Sequence, residues 1–325
     1  MAIAGTILGR LLKAALTLLA IAVLNFFLIH AAPGDPAVVL AGEAGAADEQ
    51  MIADLRAQFG LDQPLYVQLY RYGGNILPLD LGYSFRQGAP VLDLILERLP
   101  ATLILTLTAF WISLLAGVAL GVAASARVGK FTDSLITGTA LLFYATPLYW
   151  AALMAVLVFS VQLGWLPGFG YETVGSGYGG FDRAIDILKH LILPALTLGL
   201  FFMAVYMRMT RASMLEVAQQ DFVKTARAKG LAPSVIRRRH ILRNALLPVV
   251  TLAGLQAGQL VGGAVLTETV FAWPGIGRLM FESLAARDYN TILGVFLVSA
   301  LMVIIFNIIT DIVYRLIDPR IGQKA

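Results

Sequence analysis

The chain has 325 residues, of which 58% are hydrophobic and 14% are charged, and its mean hydropathy is +0.79. Soluble domains carry a charge at about a quarter of their positions, so this composition predicts a membrane protein. The chain has no cysteine, which excludes disulfides, thiolate metal sites and cysteine nucleophiles.

Six apolar stretches are each long enough to cross a bilayer, which takes about 20 residues in a helix. They cover residues 8–29, 102–124, 135–163, 185–207, 246–270 and 291–317. The first begins with Arg10 and Lys13 and ends before the helix-breaking PGDP at residues 33–36. A cleaved signal peptide is the alternative for this stretch. Its apolar core is longer than such a peptide needs and lacks a fitting cleavage point, so we expect an uncleaved anchor.

The connections between these stretches differ in charge. The connection between the first two has nine acidic residues and four arginines, a net charge of −5. The connection between the fourth and fifth has nine basic and two acidic residues, a net charge of +7. Because Lys and Arg are enriched in cytoplasmic loops, we expect the basic connection to face the cytoplasm and the acidic one to face outwards. Arg127 and Lys130 then also lie inside, as do both termini.

The acidic outer connection is long enough to fold as a small helical cap. Asp48 is suited to begin one helix and Gly60 to end it, and a second helix is expected from Pro64. A third, amphipathic piece begins at Pro90, leads into the second apolar stretch and is suited to the membrane interface. The acidity of the loop fits a partner contact or a merely hydrated surface. The expected divisions are an N-terminal anchor at 1–30, this loop at 31–99 and a membrane core at 100–325.

Recognisable patterns for catalysis are missing. Lys130 follows a glycine, but no upstream glycine stands at the spacing of an ATP-binding P-loop. None of the three histidines stands in an H-E-x-x-H pair, and neither Ser84 nor Ser176 stands in a G-x-S-x-G elbow. We therefore expect no enzyme, no bound metal and no cofactor in this chain.

An ion-coupled transporter is the more distant alternative, because such proteins place acids or histidines deep in their spans. Asp311 lies near the inner end of the last stretch, four residues before Arg315, where a surface pair explains it equally well. Glu268 lies at the outer end of the fifth stretch, where it is expected to reach the interface. The lack of a polar relay disfavours ion coupling.

Glycines and amides inside the stretches are candidates for helix packing or for a translocation pathway. Glycines recur at every fourth position on two helices, at Gly117 and Gly121 and at Gly254, Gly258 and Gly262. Such spacing lets another helix approach closely. The deepest polar residues are Asn25, Gln256, Gln259 and Asn307. Hydrogen bonds between helices and contacts to a substrate are both open as explanations.

The basic connection, at about 212–247, has the pattern of helix, tight turn and helix. Residues 212–229 are good helix formers, Gly230 can cap them, and Pro233 fits the first turn of the next helix. Such a segment can anchor on anionic lipid or dock onto a cytoplasmic protein. The small residues around the turn, Ala226 and Ala228 among them, favour insertion into a partner's groove.

The stretch DFVKTARAKGLAP, at residues 221–233, resembles the cytoplasmic loop of binding-protein-dependent ABC importer permeases. Gly230 and Ala226 match the glycine and the second alanine of that loop's E-A-A-x-x-x-G pattern, whereas Lys224 and Thr225 replace the glutamate and first alanine. This departure resembles the dipeptide, oligopeptide and nickel branch, in particular its B-type subunit. Further resemblance to that branch lies in PGDP, FGLDQPLYVQLYRY, DLGYSF, RLPATLILTLTA, LPALTLGL, ETVFAWPGIGRL and DPRI.

The resemblance implies an all-α permease of the type I ABC importer fold in the bacterial inner membrane, with six spans and both termini in the cytoplasm. It implies a second permease subunit, two ATPases that bind ATP and Mg, an extracytoplasmic solute-binding protein and membrane lipid, but no nucleic acid. By analogy, coupling to the ATPases belongs to Thr225, Ala226, Arg227, Ala228, Lys229, Gly230, Leu231 and Pro233. The expected cargo is di- or oligopeptides, with nickel chelates, glutathione-like peptides, sugars or opines as alternatives.

Overall fold

The computed structural model describes residues 2–31, 38, 48–59, 62–76, 79–84 and 86–317. These residues are mostly helical, in agreement with the predicted all-α class. The chain divides into two compact units. One comprises Met1–Leu99 and Leu279–Met302, and the other comprises Pro100–Arg278 and Val303–Ala325.

The described residues in the N-terminal part of the first unit include three helices and a short hairpin. They are α1 (Ala2–Ala31), α2 (Glu49–Phe59), α3 (Leu65–Ile76), and strands β1 (Tyr83–Ser84) and β2 (Ala89–Pro90), which pair antiparallel. Asp48 directly precedes α2, and its carboxylate accepts the Gln50 N–H at 3.5 Å. Pro64 directly precedes α3, so both predicted helix starts are confirmed. Gly60 lies outside the described residues.

Helix α4 (Val91–Ser125) joins two segments that the sequence analysis separated. The amphipathic piece from Pro90 and the second apolar stretch form one helix of 35 residues, with Pro100 inside it. Val91 and Ile95 are fully buried, and a methyl group added to Gly294 would lie 2.5 Å from Val91 Cγ1. One side of this first part of α4 therefore packs against protein, and its position at the membrane interface stays a prediction.

The remaining helices follow α4 along the chain. They are α5 (Phe131–Ala145), α6 (Leu148–Ala155), α7 (Gly180–Ala218), α8 (Asp221–Ala228), α9 (Pro233–Val235), α10 (Arg243–Val270), α11 (Ile276–Ala286) and α12 (Tyr289–Ile317). Two π-helical stretches continue shorter helices, Val156–Gln162 after α6 and Ile236–Leu242 after α9. The second leads without interruption into α10.

Four helices in the described part of the chain are long and apolar enough to span a membrane. They are Val91–Ser125, Gly180–Ala218, Pro233–Gly258 and Tyr289–Thr310. The predicted third stretch is broken into Phe131–Ala145 and Leu148–Gln162, which meet at 102° and together make a fifth candidate. Pro147 explains the break, because the residue before a proline avoids the helical region and Thr146 is extended here (φ −77°, ψ 127°). The apolar part of α1, Ala15–Leu28, is shorter than a span.

Helix α7 is central to the second unit, and α4 crosses it at close range. A methyl group added to Gly117 would lie 2.6 Å from Tyr206 Cβ, and one added to Gly121 would lie 2.6 Å from Thr210 Cβ. Tyr206 and Leu198 are fully buried in one core cluster of the second unit. The close approach expected at these two glycines of α4 is confirmed, since any side chain there would separate the helices.

Candidate functional site

The basic connection is divided differently from the helix expected at 212–229. Helix α7 ends at Ala218, Gln220 is extended (φ −66°, ψ 150°), and α8 begins at Asp221. The break turns α8 back, so that Val223 and Ala226 are buried in a cluster with Met214 of α7. A continuous helix would carry these two side chains away from α7, and burial of apolar surface therefore favours the break.

The turn after α8 is a Schellman motif. Gly230 has a positive φ of 73°, its N–H donates to the Arg227 carbonyl at 2.9 Å, and the Leu231 N–H donates to the Ala226 carbonyl at 3.4 Å. Pro233 then occupies the first turn of α9. The predicted cap and the predicted helix start are both confirmed, and the physical reason is that glycine tolerates the left-handed conformation.

The segment from 221 to 243 exposes both apolar and basic side chains. Of the residues expected to couple to an ATPase, Ala226 is buried, at 5% exposure, and packs on the inner side of α8 in the cluster with Met214. The others are exposed, namely Thr225, Arg227, Ala228, Lys229, Gly230, Leu231 and Pro233. Phe222 and Val235 add exposed apolar surface on either side of the turn. The result is a cationic surface with apolar side chains that the rest of the described chain does not cover.

Three of the nine basic residues counted in this connection have partners inside the chain. Arg211 of α7 donates twice to Asp133 of α5, at 2.7 Å each. Arg208 stacks over the Tyr144 ring at 4.6 Å from its centroid, and Lys224 pairs with Asp221 at 2.8 Å on the surface. Within the described residues, the structure shows no ion pair for Arg227, Lys229 or residues 237–239. These cations are therefore available to another molecule.

Two of the candidate packing or pathway glycines lie on the face of α10 that meets α12. A methyl group added to Gly254 would overlap the Thr310 methyl, and one added to Gly258 would lie 3.0 Å from Val303 Cγ1. Both contacts lie within the second unit. The geometry requires a residue without a side chain at Gly254, whereas an added methyl group at Gly258 requires Val303 to shift slightly.

The candidate amides have different surroundings. Gln256 is 8% exposed, and its Oε1 has no hydrogen-bond partner among the described residues. Asn307 is exposed. Gln259 and Gly262 lie on α10, and their surroundings fall outside the described part, as do the side chains of Asp311 and Arg315. Gln256 is thus a buried polar group with an unused acceptor, which costs free energy unless a ligand or another chain uses it.

Glu268 corrects an expectation of the sequence analysis. Instead of reaching an interface, it is fully buried at the end of α10. Its Oε1 accepts the Thr102 hydroxyl at 2.7 Å, and its Oε2 accepts the Arg278 N–H at 3.0 Å. Thr102 in turn accepts the Ile276 N–H at 2.8 Å, so one carboxylate joins α4, α10 and the start of α11.

The turn between α10 and α11 explains how a carboxylate is buried there. Gly275 and Gly277 face Glu268, and a methyl group on either would collide with its carboxylate oxygens. Trp273 is also fully buried and donates its indole N–H to the Ala101 carbonyl at 2.8 Å. The signal in the sequence was the WPGIG stretch, whose two glycines leave the room that the carboxylate occupies.

Family models match almost the entire chain. The model of the binding-protein-dependent transport system inner membrane component matches residues 113–323, and the model of the N-terminal part of such membrane components matches residues 4–106. The chain belongs to this family. It is therefore an inner-membrane component of a binding-protein-dependent transport system, as the resemblance of residues 221–233 indicated.

Curated relatives are similar over nearly their full length. The dipeptide transport system permease protein DppB of Alkalihalophilus pseudofirmus is 40% identical, over 96% of this chain and 97% of its own. The oligopeptide transport system permease protein AppB of Bacillus subtilis is 40% identical, over 98% of this chain and 99% of its own. The permease DppB of Escherichia coli K12 is 38% identical, over 98% of each chain.

Solved structures resemble the fold at lower identity. An inward-facing form of the methionine ABC transporter MetNI matches with a TM-score of 0.53 and 20% identity, over 70% of this chain and 97% of that one. An amino acid ABC transporter matches with a TM-score of 0.51 and 15% identity. The permease family member described here thus has the helical architecture of ABC importer membrane subunits.

Proposed function

We propose that this permease is the membrane subunit of an ATP-driven importer of di- or oligopeptides, in which it forms half of the translocation pathway. The observation that carries the proposal is the 40% identity to a dipeptide permease across 96% of this chain and 97% of the relative. Similarity that extends over the whole length covers the membrane helices as well as the cytoplasmic connection. The substrate class named for such relatives is therefore a reasonable expectation for this chain.

The proposed topology has six spans with both termini in the cytoplasm. Four helices and the bent pair are five candidates. The sixth span of this proposal is α1, whose 30 residues extend beyond its apolar part Ala15–Leu28 at both ends. The charge of the connections supports the orientation, because the connection with net charge −5 then lies outside and that with +7 lies inside. The proposed segments are the anchor at 1–30, the extracytoplasmic loop at 31–99 and the permease core at 100–325.

The proposed assembly contains a second permease subunit, two ATPases and an extracytoplasmic solute-binding protein. ATP and Mg belong to the ATPases, and this chain binds neither. The exposed surface around Gly230 is suited to an ATPase groove with acidic rims, because Arg227 and Lys229 are charged and Leu231 and Val235 are apolar. Membrane lipid covers the remaining apolar surface.

The buried side of α8 supplies the mechanical link in this proposal. Val223 and Ala226 pack with Ile236, Ile241 and Met214, so α8 and the π-helical stretch that leads into α10 share one cluster with the end of α7. A displacement of α8 by a closing ATPase is therefore passed on to two membrane helices. Rocking of those helices between inward-open and outward-open states is alternating access.

Substitution of Gly230 tests the coupling role. An added Cβ at Gly230 meets nothing within 4 Å, so Gly230→Trp projects its ring into the space a partner would occupy. In cells lacking the native gene, we expect Gly230→Trp to reduce uptake of a labelled dipeptide at least about fivefold. Gly230→Asn is the matched control, because asparagine tolerates the left-handed conformation without that bulk. Unchanged uptake and ATPase stimulation in Gly230→Trp would remove the coupling role.

A second experiment separates this proposal from ion-coupled transport. The purified chain is reconstituted alone in vesicles with a proton or sodium gradient, and dipeptide accumulation is measured. We expect none, because this chain supplies only half of the pathway and none of the ATP chemistry. Accumulation without ATPase subunits would overturn the proposal.

A further inference from the structure

A cavity of about 460 Å³ lies beside the Gly230 turn. Its walls come from the end of α4 at Ser125, the end of α7 at Met214 and Ala218, and the segment after α8 at Ile236. Arg227 and Arg237 also line it. Its volume falls in the range of roughly 300–1,000 Å³ that is typical of ligand sites.

The lining of this cavity is amphipathic. Two arginines and one serine are its polar residues, its other residues are apolar, and none of them is acidic. Neither Arg227 nor Arg237 has an ion pair in the described part of the chain. Such a lining complements a molecule with an anionic head and an apolar body, because a guanidinium binds phosphate oxygens through several N–H donors.

We propose that this cavity binds an anionic phospholipid, with its phosphate between Arg227 and Arg237 and its apolar part against Met214 and Ala218. The cavity lies beside the ends of α4 and α7, two helices that are long and apolar enough to span a membrane. Basic pockets at the cytoplasmic ends of membrane helices are suited to anionic headgroups. The proposal rests on the cytoplasmic orientation given under the proposed function.

This site has a consequence for coupling. Arg227 and Leu231 line the cavity and also belong to the surface proposed for the ATPase. A bound headgroup therefore neutralises one cation of that surface and fills the space behind it. The anionic lipid content of the membrane then alters how tightly the ATPase docks.

Lipid binding to the purified full-length chain tests the proposal without any transport measurement. The chain in detergent is titrated with fluorescent phosphatidylglycerol and, in parallel, with fluorescent phosphatidylcholine. Each favourable Arg near an anionic lipid contributes about a fivefold gain in affinity. We therefore expect phosphatidylglycerol to bind at least about tenfold more tightly than phosphatidylcholine, and Arg237→Gln to weaken it about fivefold.

Arg238→Gln is the matched control, because it removes the same charge from an exposed neighbour that does not line the cavity. It should bind phosphatidylglycerol within about twofold of the wild type. Equal weakening by both variants would show diffuse surface attraction and overturn the site. Ala218→Phe fills the cavity without changing charge and should also weaken binding.

Two further outcomes would overturn the proposal that the cavity binds a phospholipid. Displacement of the fluorescent lipid by inorganic phosphate as effectively as by unlabelled phosphatidylglycerol would show an anion site that does not recognise lipid. If Arg237→Gln lowered co-purification of the ATPases and left lipid binding unchanged, the cavity would belong to the ATPase interface. Failure of lipid binding leaves the dipeptide uptake experiment unaffected, so the two proposals fail separately.

Discussion

Two charged regions at opposite ends of α10 use charge in contrasting ways. Glu268 is fully buried and has hydrogen-bond donors from Thr102 and Arg278. The segment before α10 carries exposed cations, and Arg227 and Lys229 have no ion pair within the described residues. A buried charged group with hydrogen-bond partners stabilises the fold, whereas an exposed charged group without a partner is available to bind another molecule. We therefore expect transport by this chain to depend on the second region and its stability to depend on the first.

The largest expected effect comes from removing the buried carboxylate. Glu268→Ala leaves the Thr102 hydroxyl and the Arg278 N–H without their acceptor, at about 1–3 kcal/mol for each buried group. We expect the free energy of unfolding to fall by about 2–6 kcal/mol, measured by circular dichroism in detergent.

Glu282→Ala is the matched control for this change. Glu282 pairs with Arg98 at 3.2 Å, and its side chain is 39% exposed. Because exposed ion pairs contribute about 0–1 kcal/mol, this variant should unfold close to the wild type. Equal losses in the two variants would contradict the structural role of Glu268.

Glycines in the two regions should respond differently to the same substitutions. Gly275→Ala places a methyl group against the Glu268 carboxylate, and overpacking of this kind costs about 1–3 kcal/mol. Gly230→Ala meets open space but has a left-handed backbone, which costs about 1–2 kcal/mol.

Asparagine distinguishes these two causes. Gly230→Asn should recover most of the loss, because asparagine tolerates positive φ, whereas Gly275→Asn should be less stable than Gly275→Ala. Thermal unfolding of the four variants measures the difference. If asparagine changed stability relative to alanine in the same direction at both positions, either overpacking at Gly275 or backbone strain at Gly230 would be the wrong cause.

Charge reversal outside the buried region should spare stability and impair transport. Lys229→Glu changes an exposed residue, so its free energy of unfolding should stay within about 0.5 kcal/mol of the wild type. Dipeptide uptake should fall at least about fivefold, because the proposed ATPase surface loses a cation and gains an anion.

Lys130→Glu reverses another exposed cation, in the other basic connection and outside the proposed surface. It should leave both stability and uptake near the wild type. A comparable loss of uptake in Lys130→Glu would assign the effect to general charge on the inner side instead of to the Gly230 turn.

Much of the basic segment was predictable from sequence because its determinants are local. A left-handed turn needs a residue such as Gly230, and Pro233 is preorganised for a first helical turn. The local sequence alone therefore predicts both the turn and the start of the next helix. The break at Gln220 was not predictable in this way. It depends on burial of Val223 and Ala226 against a helix from earlier in the chain, which local propensity does not contain.

The Glu268 region shows the same limit more strongly. The apolar pattern predicts where α10 ends, but it does not predict that Glu268 at this end is buried, because most acidic residues are exposed. Its partners Thr102 and Ile276 lie on other elements and become neighbours only through the tertiary fold. The break in the third apolar stretch could have been predicted from the sequence, because Pro147 disfavours a helical conformation at Thr146.

Gln256 tests this comparison because its side chain is buried like that of Glu268, while its Oε1 resembles the cations in having no partner among the described residues. Its Oε1 has no hydrogen-bond partner among the described residues, so Gln256→Leu breaks no hydrogen bond to that atom there and removes a buried acceptor that costs free energy when unused. We expect the free energy of unfolding to change by less than about 1 kcal/mol. Asn307→Leu, at an exposed position of α12, is the control for polarity alone. If the amide serves the pathway, uptake falls in Gln256→Leu and not in the control, whereas a loss of stability near that of Glu268→Ala would place Gln256 among the packing residues.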